Sequence, residues 1–227
     1  MILAVTGGKG GVGKSTVAYN LGAALGAVVG DADRGMADLP SSRGPDLHDV
    51  LAGRADPVEA VCPTRRAASG STVRLLPCGR SLAGARTADV TRLADVLQQV
   101  AREFGDVVVD CPAGMRADAG VPLAVADCAV LVVSPQPFAL ADAVRTRALA
   151  RELDTPLAGA VVNRVVETPP TAAIAETLGA PVTTIPADPR VGASLTEQRP
   201  VVDSAADSHA AAGIRKLASA VQSCRSV

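Results

Sequence analysis

Hydrophobic and polar positions alternate along the chain in blocks that predict a repeated order of strands and helices. Short, mostly apolar runs typical of buried strands occupy residues 2–5, 28–29, 73–76, 107–109, 129–133, 157–162 and 182–185. Apolar residues recur at helical spacing over residues 15–25, 87–104 and 138–153. This order predicts an α/β fold with a doubly wound, mostly parallel sheet and helices on both faces. We expect residues 1–227 to form a single domain.

Polar residues and a proline stand where several of these strands end. In open parallel sheets, ligands bind beyond the carboxyl ends of the strands. We therefore expect one functional rim to be formed by Asp33, Asp110, Ser134, Asn163 and Pro186.

The segment after the first strand is rich in glycine and predicts a phosphate-binding loop. Gly8, Gly13, Lys14 and Ser15 fit the pattern G-x-x-x-x-G-K-[ST]. Glycines let the backbone N–H groups of such a loop turn toward phosphate oxygens. Lys14 is expected to contact the β- and γ-phosphates, and the Ser15 hydroxyl to bind Mg²⁺. The helix that begins near Lys14 adds its positive N-terminus to the same site.

The same glycines also allow a second interpretation. Gly8, Gly10 and Gly13 spell G-x-G-x-x-G, and Asp31 follows Gly13 by 18 residues, as in a dinucleotide-binding turn with its ribose-binding acid. The pair Lys14-Ser15 has no role in a turn of that kind and has one in a phosphate loop. We therefore favour the phosphate loop.

Three aspartates at predicted strand ends are candidates for metal and water chemistry. Asp110 can hold Mg²⁺ directly or through a water molecule, or it can cap the following turn. Of Asp31 and Asp33, one is expected to cap a turn while the other faces the γ-phosphate. Asp33 fits a carboxylate that orients the attacking water, and a surface carboxylate is the alternative.

Two further sites allow more than one interpretation. A standard phosphate loop needs no lysine at position 9, so Lys9 either reaches the phosphates bound by a partner subunit or is solvated. Asn163 and Arg164 follow an apolar strand, where they either read an adenine edge or form an ordinary turn.

Composition narrows the class of protein. The chain has 227 residues, 48% of them hydrophobic, which suffices for a core, and its net charge of -1 gives no support for DNA binding. Five scattered cysteines without a C-x-x-C pair predict free thiols and a cytoplasmic location. We see no signal peptide and no apolar run of the ~18 residues that a membrane helix needs.

At this point the motifs resemble those of one family. Residues 9–16, Lys-Gly-Gly-Val-Gly-Lys-Ser-Thr, resemble the deviant phosphate loop of the MinD/ParA ATPases. Segments 31–33, 110–114, 162–165 and 185–191 resemble the later motifs of that family, in order and over essentially the whole chain. The forms of segments 110–114 and 185–191 are more similar to MinD than to ParA, and short archaeal MinD-like proteins are the most similar group.

The resemblance implies a P-loop NTPase fold, ATP and Mg²⁺ as cofactors, and an ATP-dependent homodimer that hydrolysis dissolves. Lys9, Lys14 and Asp33 would be catalytic, with Lys9 acting on the partner's phosphates and Asp33 on the attacking water. Ser15 would bind Mg²⁺ and Asp110 would act through a water. The implied ATP-binding residues are Gly8, Lys9, Gly10, Gly11, Val12, Gly13, Lys14, Ser15 and Thr16, with Asn163, Arg164, Pro186, Ala187 and Asp188 around the adenine.

The implied function is a slow, partner-stimulated Mg-dependent ATPase that positions cell-division or other cellular machinery, with an unidentified regulatory protein as partner. Alternatives are a ParA-type DNA-partition ATPase, a metal- or cluster-insertion ATPase and a ligase of the same fold. Arg116 departs from the acidic residue that MinD proteins often carry there. The stripe Ile214, Leu217, Ala218 and Val221 is narrow, so we expect a core helix there in preference to a membrane anchor.

Overall fold

The computed structural model describes residues 1–8, 10–33, 39–40, 44–64, 72–114, 117–136 and 139–224. Within these ranges, eight strands form one sheet in the order β3-β4-β2-β5-β1-β6-β7-β8. Neighbouring strands are parallel except β3 and β4, which are antiparallel. The strands are β1 (Ile2–Thr6), β2 (Val28–Asp31), β3 (Cys62–Pro63), β4 (Arg74–Leu76), β5 (Val107–Asp110), β6 (Cys128–Val133), β7 (Leu157–Val165) and β8 (Val182–Pro186).

Helices cover both faces of this sheet, which confirms the predicted doubly wound α/β fold. The helices are α1 (Lys14–Leu25), α2 (Leu47–Leu51), α3 (Leu82–Thr87), α4 (Leu93–Phe104), α5 (Ala117–Val125), α6 (Ala139–Glu152), α7 (Thr171–Leu178), α8 (Pro189–Thr196), α9 (Val201–Ser204) and α10 (His209–Ser223). One core cluster joins α1, α8, α9 and α10 to one face of the sheet. Two further clusters pack α2, α4 and α5, and α6 and α7, against the other face.

The strand order reverses at β1. From β1 the chain moves to β2 on one side, and after β5 it crosses to β6 on the other side of β1. The crevice beyond the carboxyl end of β1 is where a fold of this kind binds its ligand. The glycine-rich segment predicted to bind phosphate begins at this point.

The long helix predicted over residues 87–104 is interrupted. α3 ends at Thr87, a short 3-10 helix covers Val90–Arg92, and α4 begins at Leu93. The Asp89 side chain accepts a hydrogen bond from the Thr91 N–H at 3.0 Å and caps the 3-10 helix. Aspartate competes with helical hydrogen bonds in this way, so the apolar spacing alone overestimated the length of the helix.

The last helix, α10, belongs to the core, as predicted. Ile214, Leu217, Ala218 and Val221 are buried and pack in the same cluster as α1 and β8. Among the described residues, no helix combines the length and apolar character needed to cross a membrane. Cys62, Cys78, Cys111, Cys128 and Cys224 are free thiols.

Candidate nucleotide-binding site

The phosphate loop, residues 7–13, leaves the end of β1 and turns directly into α1. Gly13 is the N-cap of α1 with a φ of 93°, a conformation that favours glycine. A Cβ on Gly13 would stand 2.3 Å from Nδ2 of Asn163. Gly8 also permits a close approach, since its Cβ would stand 2.5 Å from the Asp142 carbonyl oxygen on α6.

Not every glycine of the loop is required by its surroundings. Among the described residues, no atom lies within 4 Å of where a Cβ on Gly10 would stand, and the φ of Gly10 is not positive. The expectation that glycines serve backbone turns and close approach therefore holds for Gly8, for Gly13 and for Gly11, which has a φ of 80°. Gly10 faces space that no described residue fills. Lys9, between Gly8 and Gly10, lies outside the described residues.

Two side chains of β7 fix the orientation of the loop. Asn163 donates from Nδ2 to the Val12 carbonyl at 2.9 Å, and Arg164 donates from Nη1 to the Gly11 carbonyl at 3.0 Å. In a trans peptide the carbonyl and the following N–H point in opposite directions. The N–H groups of Val12 and Gly13 are therefore turned away from β7. Adjacent N–H groups turned to one side form a concave anion-binding surface.

An irregularity in β7 makes this contact possible. The register between β7 and β8 shifts between Asn163 and Val165, and Arg164 has a φ of 61°. Bulges of this kind redirect side chains and are frequent beside functional sites. Here the bulge leaves Asn163 buried and Arg164 exposed, with both side chains on the phosphate loop. From the sequence this pair was expected either to read an adenine edge or to form an ordinary turn, and the family resemblance favoured the adenine. Neither expectation included its contact with the loop.

Lys14 lies beneath the loop at the start of α1. Its side chain is buried, and its Cδ lies 3.4 Å from where a Cβ on Gly7 would stand. The lysine side chain therefore folds back along the loop toward Gly7. The first turn of a helix has N–H groups without helical acceptors and a partial positive charge. Lys14 therefore adds a full charge to a site that already favours anions.

Two buried carboxylates end the neighbouring strands β2 and β5. Asp31 and Asp110 are paired in register and are 0% and 1% exposed. The Asp31 carboxylate accepts hydrogen bonds from the N–H groups of Asp33 at 3.0 Å and Leu39 at 3.4 Å. Burial, reinforced by the charge of Asp110, raises the pKa of Asp31 well above its ordinary value, and those two N–H groups oppose the shift.

These contacts separate the roles of Asp31 and Asp33. Asp31 caps the turn after β2 and is fully buried, so it cannot take the ribose-binding role of the dinucleotide interpretation. Asp33 is half-buried, two residues further on, with its backbone held by Asp31.

Cys111 follows Asp110 and is fully buried. Burial, followed by the charge of Asp110, raises the pKa of the Cys111 thiol above its ordinary range, and Lys14 opposes the shift. Cys111 is therefore a neutral thiol and not a reactive thiolate. Among the described residues, no group of three or more His, Cys, Asp or Glu side chains is placed to hold a metal ion.

The residues present nevertheless fit Mg²⁺ bound together with phosphate. Mg²⁺ in nucleotide sites takes one or two protein oxygens and completes its shell with phosphate and water. Ser15, the second residue of α1, supplies a hydroxyl, and the buried Asp110 supplies a carboxylate at the end of β5. A dedicated cage of protein ligands is not required.

A cavity beside α1 accounts for the remaining predicted residues. Its volume is about 460 Å³, within the usual range for small-molecule sites. It is lined by Thr16, Asn163, Arg164, Pro186, Ala187, Asp188, Pro189, Val191 and Gly192. The Asp188 carboxylate caps α8 and pairs with Arg190 at 2.7 Å, and this hydrogen-bonded guanidinium lowers the pKa of Asp188. Asp188 thus holds the wall of the cavity in place.

The described residues predicted for the site therefore lie at the carboxyl edge of the sheet. Adjoining strand ends carry all of them. These are the described loop residues, Lys14 to Thr16, Asp33, Asp110 and the cavity residues of β7 and β8. Arg116, like Lys9, lies outside the described residues.

Comparison with known proteins agrees with this geometry. The sequence profile of the CobQ/CobB/MinD/ParA nucleotide binding domain matches residues 3–201. The chain is 39% identical over 176 residues to an uncharacterized ATP-binding protein of Methanocaldococcus jannaschii, which covers 73% of this chain and 65% of that protein.

Solved structures of MinD proteins superpose over nearly the whole chain. The cell division ATPase MinD of Pyrococcus furiosus has a TM-score of 0.89 and 29% identity, and covers 98% of each chain. The septum site-determining protein MinD of Pyrococcus horikoshii, solved in complex with Mg-ADP, has a TM-score of 0.86 and 28% identity, and covers 95% of this chain and 93% of that one. The profile match over most of the chain agrees with the phosphate loop and with the paired carboxylates at the ends of β2 and β5. This protein belongs to the CobQ/CobB/MinD/ParA family of nucleotide-binding domains.

Proposed function

We propose that this protein binds Mg-ATP at the phosphate loop and hydrolyses it slowly, as a dimerisation switch of the MinD type. The observation that carries the proposal is the pair of hydrogen bonds from Asn163 and Arg164 to the Val12 and Gly11 carbonyls. These bonds hold the loop with the N–H groups of Val12 and Gly13 turned to one side. Such preorganisation is what phosphate recognition requires.

In this proposal Lys14 contacts the β- and γ-phosphates, and Ser15 binds Mg²⁺ with Asp110 acting through a water. When bound, the metal ion would neutralise phosphate charge. Asp33 orients the water that attacks the γ-phosphate, since it lies beyond the end of β2 and its backbone is anchored to Asp31. Phosphoryl transfer is catalysed chiefly by such positioning and charge.

The 460 Å³ cavity is the proposed adenine site. Pro186, Ala187 and Val191 give it the apolar walls that a purine ring requires, and Asn163 lies at the junction between cavity and loop. The wall opposite α1 is held by the Asp188 cap of α8. The arrangement explains why the motifs at residues 162–165 and 185–191 accompany the phosphate loop.

Dimerisation in the presence of ATP is the second part of the proposal. Lys9 supplies the charge for the partner's phosphates, since the phosphate loop has its own lysine in Lys14. The space beside Gly10 that no described residue fills supports an interface here, because another surface can approach the loop at this point. We propose that residues 1–227 act as one domain and that an unidentified protein regulates ATP turnover. The proposed cellular role is to position cell-division or other machinery in the cytoplasm.

Titration calorimetry with Mg-ATP tests the binding site. Lys14→Ala is expected to abolish binding, because N–H groups alone cannot replace its charge at the β- and γ-phosphates. Lys216→Ala is the matched control, since Lys216 is an exposed lysine of α10 and is not part of the phosphate loop. Tight Mg-ATP binding by Lys14→Ala, or equal losses in both variants, would refute the assignment.

A further inference from the structure

Asn20 is a fully buried polar residue in the middle of α1 with every hydrogen-bonding group of its amide in use. Its Nδ2 donates to the Thr16 carbonyl at 2.8 Å and to the Ser194 Oγ at 2.8 Å. Its Oδ1 accepts a hydrogen bond from the Val201 N–H at 2.7 Å. The side chain is 0% exposed, so no water competes for these bonds.

These bonds join three helices that are distant in the sequence. Thr16 belongs to the first turn of α1, Ser194 to α8 and Val201 to the start of α9. The Asn20 contacts to α8 and α9 span 174 and 181 residues. Ser194 continues the chain of hydrogen bonds, since its Oγ donates to the Val191 carbonyl at 2.8 Å.

Both ends of this series of hydrogen bonds lie at the cavity. Thr16 and Val191 line the 460 Å³ cavity, one from α1 and the other from α8. The chain Thr16–Asn20–Ser194–Val191 therefore connects two walls of the cavity through the protein interior. α1 is also the helix that presents Lys14 and Ser15 at the phosphate loop.

We infer that Asn20 is a positioning residue that fixes α8 relative to α1, and so sets the fit of the cavity to the nucleoside part of the ligand. This inference rests on the proposed function, since it takes the cavity to be the nucleoside site. A buried amide with three short hydrogen bonds permits one arrangement of the elements it joins, whereas apolar packing tolerates small shifts. Asn20 touches no part of the cavity itself and acts through Thr16, Ser194 and Val191.

The inference separates two parts of nucleotide affinity. Pyrophosphate engages the phosphate loop alone, while ADP engages the loop and the cavity. Disturbing Asn20 is expected to weaken the binding of ADP and to spare that of pyrophosphate. A purely structural role would weaken both probes alike, because it would act through the fraction of folded protein.

Calorimetric titrations of the full chain with Mg²⁺ and either ADP or pyrophosphate provide the test. Asn20→Asp keeps the shape and the acceptor for the Val201 N–H, and its ionised carboxylate cannot donate to the Thr16 carbonyl or to Ser194. We expect it to lose about tenfold in ADP affinity and less than about twofold in pyrophosphate affinity. Ser194→Ala removes the hydrogen bonds of Ser194 with Asn20 and with the Val191 carbonyl, but it leaves those that join Asn20 to Thr16 and to Val201. It is expected to lose about threefold in ADP affinity.

Thr155→Val is the matched control, since the buried Thr155 hydroxyl donates to the Leu123 carbonyl at 2.7 Å and lines no part of this cavity. It should leave the ratio of the two affinities unchanged. Circular dichroism verifies that each variant is folded, and Ser194→Ala carries the test if Asn20→Asp does not fold.

The outcomes distinguish the inference from the function on which it rests. Equal losses for the two probes, or unchanged ADP affinity in a folded variant, would overturn the role of Asn20 and leave the proposed function intact. Wild-type protein that binds neither probe would overturn both. Wild-type protein that binds ADP no better than pyrophosphate would overturn the assignment of the cavity, and the inference with it.

Discussion

Asp31 and Asp110 stand opposite each other on adjacent parallel strands, and both carboxyl groups are buried beside the phosphate loop. Residues paired in register on parallel strands project to the same face of a sheet. Burial raises the pKa of Asp31, and the charge of the neighbouring Asp110 raises it further. Without a cation, the folded protein therefore holds a proton on Asp31 more tightly than the unfolded chain does.

The pH dependence of stability follows from this pair. In nucleotide-free protein, the contribution of Asp31 is fully present below its ordinary pKa of 3.8 and is lost as the pH rises through the raised, folded-state pKa. Asp31→Asn removes the buried charge, so we expect this variant to lack that decline and to gain in relative stability toward neutral pH. Urea unfolding at a series of pH values measures the difference.

Asp89 provides a control of opposite sign. Hydrogen bonds from Thr91 lower the pKa of this exposed carboxyl, so its contribution is present above 3.8 and is lost as the pH falls. Asp89→Asn should therefore lose relative stability toward neutral pH. Parallel pH profiles for wild type and Asp31→Asn would contradict our description of the buried pair.

Gly13→Ala tests the geometry of the loop. Alanine at a φ of 93° is strained, and its Cβ would displace the Asn163 side chain from the Val12 carbonyl. We expect a destabilisation of about 2–3 kcal/mol from the backbone strain and the lost hydrogen bond together. Urea denaturation measures it, and Gly10→Ala, which meets no described residue, should change stability by less than about 0.5 kcal/mol.

A double-mutant cycle identifies the cause of that loss. Asn163→Ala removes the atom that the new Cβ would strike, so Gly13→Ala should cost less in that background. Additive effects would indicate backbone strain alone and no steric conflict with Asn163.

Asp33→Ala tests the proposed role of this residue on the attacking water. The variant is expected to bind Mg-ATP within about threefold of wild type, because Asp33 is not assigned to the bound phosphates. Turnover should fall about 100-fold or more, the usual scale for loss of a group that acts on the proton or the water. A phosphate-release assay measures turnover, and a variant that hydrolyses ATP at the wild-type rate would eliminate the role.

The proposed function of Lys9 concerns assembly. We expect a monomer without nucleotide and a dimer when ATP is bound and hydrolysis is blocked by Asp33→Ala. Lys9→Ala in that background should keep ATP binding and lose the dimer, because phosphate charge would be left uncompensated in the interface. Light scattering reports the mass, and Lys216→Ala in the same background controls for the loss of a lysine. Equal dimerisation of all three proteins would mean that Lys9 is a solvated lysine.

Local sequence determined much of this protein. Apolar runs identified most of the sheet, because strands covered by helices on both faces need nearly continuous apolar residues. The motif from Gly8 to Ser15 identified the phosphate loop, because its chemistry is carried by neighbouring residues. Short elements such as α2 and α3, and the break at Asp89, were beyond reach, since capping hydrogen bonds and packing outweigh helical spacing over a few residues.

Tertiary structure alone decided how the site is held. The contact of Asn163 with Val12 spans 151 residues, and the pairing of Asp31 with Asp110 depends on which strands become neighbours. In the sequence Asn20 is an ordinary residue of a helix, and its partners on α8 and α9 are apparent only in the folded structure. Sequence patterns report the surroundings that a residue needs along its own element. Partners from distant elements follow from strand order and helix packing, which no local spacing contains.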